Sequence, residues 1–226
     1  MATSDPLAPY YWLNADDGNA CPLGEIFTVA FFRGLDPSEV VRRFSRGADQ
    51  GRESDFDGIM RQASESCSTP SEGLAVGVWQ AGEWSVAIEP FGWMATLPDV
   101  LAELSRDCEV VAITHHAYAE DCFMYAIDGT LVTGYKPLSC PHIRFGSEPD
   151  RLYEFMRELG MPLDMEEEEH EWDWDDDDDD YFAALPRAFA LTAQLTQVRF
   201  TPEMLDRAML VGPVAFKWSA GGRGDE

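Results

Sequence analysis

The sequence predicts an α+β fold: a mainly antiparallel sheet of five or six strands, helices packed on one face, a long acidic loop and a C-terminal helical segment. Three observations predict it. Short runs rich in β-branched and aromatic residues recur along the chain, two pairs of them are joined by two-residue turn signals, and amphipathic stretches of helical period fall between the runs. With 226 residues, 45% hydrophobic and 12% aromatic, the chain can bury a sizeable core. It divides into an α+β core over 10–162, an acidic loop over 163–181 and a helical segment over 182–218 that packs on the core.

The first strand is the β-branched and aromatic run 25–32, closed by Arg33 and Gly34, as a largely buried strand ends. Asp36 then stands as an N-cap, with Pro37 at the first helical position and Glu39 at the capping-box position. Val40, Val41 and Phe44 give that helix one apolar face, and it ends near Gly47. A second short helix covers 55–64, weakened by Gly58. Runs 74–79 and 84–89 read as a hairpin turning at Ala81 and Gly82. Gly92 is expected to supply a left-handed turn after it, before a helix carrying Val100, Leu101 and Leu104. Run 109–118 is a further strand. Runs 122–127 and 130–135 flank Asp128 and Gly129, a pair that favours a type I′ turn because both central residues adopt positive φ. Helices are expected over 149–159, stopped by Gly160 and Pro162, over 182–195 with Pro186 near its start, and over 201–210. One internal echo runs through this order. A strand followed by a helix ending Phe44-Ser45-Arg46 is matched by a strand followed by a helix ending Leu104-Ser105-Arg106, a pattern that any helix-covered sheet tends to repeat.

The formal charge of −26 is concentrated. Between Asp164 and Asp180 lie thirteen acids and no Lys or Arg, so one segment carries half of it. An acidic surface argues against a phosphate-tracking nucleic-acid binder and against attachment to an anionic membrane, and leaves a basic protein surface as the expected partner. Cys21, Cys67, Cys108, Cys122 and Cys140 follow no CxxC spacing and read as scattered thiols of a reducing compartment. No secretory signal and no span of membrane length is visible, so the expected location is the cytoplasm.

The strings GEIFTVAFFRGLDPSEVVRRF (24–44), GEWSVAIEPFGW (82–93), DGTLVT (128–133) and LTQVRFTPEML (195–205) resemble an uncharacterised domain-of-unknown-function family of actinomycete-type bacteria. The resemblance covers roughly residues 10–210. It implies a compact bacterial cytoplasmic protein and carries no activity with it. The presence of only two lysines, Lys136 and Lys217, agrees with a GC-rich genome.

Candidate sites follow from residue chemistry. In the acidic segment Trp172 and Trp174 stand among Asp173, Asp175, Asp176, Asp177 and Asp178; two rings embedded in a polyanion suit a basic, partly apolar partner surface, and a nucleic-acid mimic is a special case of the same idea. The bland reading of such a tract is a solvated, self-repelling loop. A candidate pocket comprises Glu89, Phe91, Trp93, His115 and His116, against which stands ordinary packing of the two rings on the following helix. Adjacent histidines in a strand face opposite sides, so His115 and His116 cannot both enter one site; a metal site drawing one of them with His142 and Cys140 is a weak candidate, and Glu120 and Asp121 lie nearby in sequence. No GxSxG, P-loop, HExxH or GxGxxG motif supports an enzyme, and no cofactor is indicated. The function expected is non-catalytic protein binding in a bacterial regulatory, immunity or defence setting. The alternative is a metal-dependent or small-ligand enzyme using the His115/His116/His142 region.

Overall fold

A computed structural model describes residues 5–14, 21–68, 74–137, 140–163 and 178–215. Within it the strands are β1 (Ile26–Arg33), β2 (Arg52–Ser54), β3 (Ala75–Ala81), β4 (Trp84–Pro90), β5 (Glu109–His116), β6 (Cys122–Ile127), β7 (Thr130–Lys136), β8 (Cys140–Phe145) and β9 (Met209–Pro213). They form a single nine-stranded sheet in the order β2-β9-β3-β4-β1-β5-β6-β7-β8, and every neighbouring pair is antiparallel. The helices are α1 (Pro37–Phe44), α2 (Phe56–Ser68), α3 (Pro98–Leu104), α4 (Tyr153–Glu158) and α5 (Asp178–Thr196).

The six expected strands all form, and three more join them. At the β6–β7 turn Asp128 and Gly129 have φ of 46° and 76°, the two positive values a type I′ turn requires. Asp36 caps α1 as expected, its Oδ1 accepting the N–H groups of Ser38 and Glu39. The Glu39 carboxylate does not close a capping box; it takes the Arg42 and Arg43 guanidiniums.

Helices cover both faces of the sheet, not one. Along β1, Phe27, Val29 and Phe31 pack with Ile59 of α2, Met156 of α4 and Phe189 of α5, whereas Ala30 and Phe32 pack with Val40, Val41 and Phe44 of α1 and with Leu101 and Leu104 of α3. The unbroken apolar run of β1 has this cause: a strand covered on both sides has no solvent face to mark with polar residues. The expected helix over 201–210 is also corrected. A single 3-10 turn, Pro202–Met204, leads into β9, which inserts between β2 and β3. The C-terminal segment is therefore one helix and one interior strand. Asp178, Asp179 and Asp180, placed by the sequence reading in the acidic loop, open α5.

Candidate functional site

The sheet register brings the polar candidates together at one end of its centre. Glu89 of β4, Thr28 of β1 and Thr114 of β5 stand in one row, on the face covered by α1 and α3. Glu89 is 1% exposed, and its two oxygens accept the N–H groups of Met94 (3.2 Å) and Ala95 (2.9 Å) from the turn that follows β4. Burial pushes this carboxyl from its ordinary value near 4.5 up to about 7, against the smaller opposing effect of the two N–H bonds. Beside it runs a chain of buried hydroxyls. Thr28 Oγ1 lies 2.9 Å from the Gly92 carbonyl and 2.6 Å from Thr114 Oγ1, which in turn lies 2.7 Å from Thr96 Oγ1. A carbonyl can only accept, so Thr28 donates to Gly92 and Thr114 donates to Thr28, while the one proton of Thr96 is shared between Thr114 and the Trp93 carbonyl at 3.1 Å. The 91–96 segment is thereby fastened to β1 and β5.

That fastening fixes the rim above it. Phe91, not Gly92, takes the left-handed conformation (φ 55°), and its N–H donates to Ile26 O at 2.9 Å. Gly92 is needed for space: a Cβ there would stand 3.0 Å from Glu89 Cβ. Trp93 packs on His116 with ring centroids 5.6 Å apart, and His116 meets Tyr118 edge-on at 6.3 Å.

His115 and His116 do face opposite sides of β5. The His115 ring lies against Phe27, and its Nδ1 is 3.1 Å from both oxygens of Asp121, a side chain with no exposed surface. Asp121 also accepts the His116 N–H at 2.9 Å. A carboxylate partner makes His115 Nδ1 the donor and leaves its Nε2 lone pair available. His116 has the opposite arrangement, because its Nδ1 accepts the Tyr118 N–H at 3.2 Å, so its proton sits on Nε2. His115 is thus an imidazole base held in place by a buried acid. The candidate pocket is split by the sheet, with Glu89, Trp93 and His116 on one side and His115 on the other.

His142 and Cys140 lie on β8, separated from β5 by β6 and β7, roughly 14 Å at the usual strand spacing. Among the described residues no group of three or more His, Cys, Asp or Glu is placed to hold a metal ion. Trp172, Trp174, Asp173, Asp175, Asp176 and Asp177 lie outside the described residues, and Asp178 opens α5. Leu163, which precedes the tract in sequence, lies beside β8, where Arg144 donates to its carbonyl at 3.2 Å.

A family model described as a family of unknown function, DUF6461, matches residues 3–216. The chain belongs to that family. No curated protein and no solved structure matches it. The DUF6461 match spans the sheet from β1 to β9 as well as the acidic tract, and so takes in every candidate residue above. No helix among the described residues of this DUF6461 chain is long and apolar enough to cross a membrane.

Sequence reasoning found Glu89, Trp93, His115, His116 and the neighbouring Asp121, but did not connect Thr28, Thr96 and Thr114. Only the cross-strand register aligns residues 28, 89 and 114, and no local spacing encodes it. Replacing Thr114 by Val is expected to cost about 2 kcal/mol, because it removes both buried hydroxyl links that Thr114 makes, to Thr28 and to Thr96. Urea unfolding measures the loss, and a midpoint unchanged from the parent would rule the network out as a stabilising feature.

Proposed function

We propose that this protein is a non-catalytic binding module whose acidic tract, with Trp172 and Trp174, engages a basic protein partner. One observation carries the reading: the chain cannot neutralise the tract from within. Arg33, Arg42, Arg43, Arg46, Lys136, Arg144, Arg151 and Arg157 are each paired with a carboxylate of the scaffold. Those are eight of sixteen cations, so even if all the others faced the tract they would fall short of its thirteen acids. An excess of this size speeds encounter with a positive surface, and the two indoles supply apolar contact once the surfaces meet. The scattered thiols and the preference for Arg over Lys suit a bacterial cytoplasmic setting, with a regulatory, immunity or defence role as the broad context.

The test is capture from the source cells by two baits, the intact protein and a variant with 166–180 replaced by a Gly/Ser linker of equal length. The expected result is a basic protein recovered by the intact bait alone, with binding that weakens steeply between low and physiological salt. Equal recovery by both baits overturns the reading. The His115–Asp121 pair favours a second reading, a small-ligand enzyme using His115 Nε2 as its base. Its mark is an activity that survives replacement of the tract and is lost in His115→Ala.

A further inference from the structure

The echo between the two strand-helix units has a structural counterpart. Strands β1 and β4 are antiparallel neighbours, and α1 and α3, which follow them, lie side by side on the same face. Both helices end in a buried serine: the Ser105 hydroxyl turns back to the Leu101 carbonyl, and the Ser45 hydroxyl lies between the Arg42 carbonyl (3.1 Å) and the Asp49 carbonyl (2.9 Å). Each end then passes through a left-handed residue, Arg46 (φ 53°) and Asp107 (φ 54°). The two ends meet, and Arg43 Nη1 reaches across to the carbonyls of Leu104 and Arg106, both at 2.7 Å. Between them opens a cleft of about 300 Å³ lined by Arg42, Arg43, Arg46 and Arg106, with Glu103 and Asp107.

Four guanidiniums around one cleft are unexpected in a chain with 42 acids and only 16 Lys and Arg. Their hydrogen-bonding capacity is not exhausted. Glu39 takes Nε and Nη2 of Arg42 and Nε of Arg43, which leaves Arg42 Nη1 and Arg43 Nη2 as further donors. Arg46 is held by Glu103 at 2.8 and 3.0 Å. Arg106 is exposed, and among the described residues no carboxylate pairs with it. Arg43 is 15% exposed and held from both helices, so its charge is fixed and its entropic cost of binding is already met by the fold.

We propose that this cleft binds a phosphate group, carried by a small phosphorylated ligand. Several planar donors arriving from two helix ends suit a group with oxygens on more than one side, whereas a carboxylate is satisfied by a single guanidinium. The volume admits a phosphate and a small attached group. Locally the four guanidiniums stand against three carboxylates, Glu39, Glu103 and Asp107, and charges farther than ~8 Å are largely screened at physiological ionic strength. The site is independent of the acidic tract and of its partner.

Titration calorimetry of the full-length protein with pyrophosphate tests the proposal. Saturable one-to-one binding is expected, weakened at least tenfold in the double variant Arg42→Gln/Arg106→Gln. Neither of those side chains is buried, so circular dichroism of the variant should match the parent. Arg151→Gln, which removes a cation elsewhere on the surface, should leave the affinity within twofold. No saturable binding at millimolar pyrophosphate, or equal affinity in parent and double variant, overturns the assignment.

Discussion

A chain ending at Asp206 is expected to lose its cooperative unfolding transition. The missing residues include β9, which pairs with β2 on one side and β3 on the other. Met209, Val211 and Val214 are buried to 6% exposure or less, and losing three such side chains forfeits on the order of 6 kcal/mol of apolar burial. Further losses follow. The Val214 and Ala215 N–H groups donate to the Leu74 and Phe44 carbonyls, at 2.7 and 2.9 Å, and β2 would have no neighbour at all. Domains of this kind are stable by about 5–15 kcal/mol, so the deficit is comparable to the whole. Near-ultraviolet circular dichroism and urea titration of the truncated chain check it; a sharp transition close to that of the intact protein would contradict the placement of β9.

The second large effect is on the pH dependence of stability. Glu89 is expected to protonate near 7 when folded and near 4.5 when unfolded. The folded state then holds the proton more tightly, so the contribution of this group is fully present below about 4.5 and is lost as pH rises through 7. A separation of that size is worth about 3 kcal/mol between pH 4.5 and 8. Asp36 and Glu39 act in the other direction. Hydrogen bonds from Ser38 and from Arg42 hold their carboxyls below the usual range, so their contribution is present above about 4 and disappears in acid. Together these groups place maximum stability at roughly pH 4–5, where Glu89 still holds its proton in the folded state and the other two carboxyls are ionised. In Glu89→Gln the decline from pH 4.5 to 8 should flatten by about 3 kcal/mol, offset at every pH by about 1 kcal/mol because one amide oxygen cannot serve both the Met94 and Ala95 N–H groups. Urea midpoints across that range measure the slope; identical slopes in the two proteins would remove Glu89 from the account.

Much of this architecture can be read from the sequence where a strand is long, apolar and followed by a turn with its own chemistry. The hairpin at Asp128 and Gly129 and the cap at Asp36 are local, and both form as read. The missed strands lack those marks. Residues Arg52 to Ser54 of β2 are polar, β8 contains Pro141, and β9 is short and begins within the stretch that Thr201-Pro202-Glu203 marks as a helix. The two-faced packing was implicit in the unbroken apolar run of β1, which an exposed sheet face would have interrupted. At the site, residue types were legible and geometry was not. Asp121 stands six residues from His115, so the pair could be anticipated, whereas Thr28, Thr96 and Thr114 meet only through pairing of distant strands.

The strand order also sets a sequence of assembly. From β5 through β8 each strand pairs with the one made just before it, and β3 with β4 likewise, so these contacts close short loops and can form early. The pairing of Arg52 with Val211 joins residues from opposite halves of the chain, and during synthesis it cannot form until β9 has left the ribosome. Until then β3 presents an open, apolar edge, the state in which this protein is most exposed to mispairing with another chain and in which a chaperone would find it.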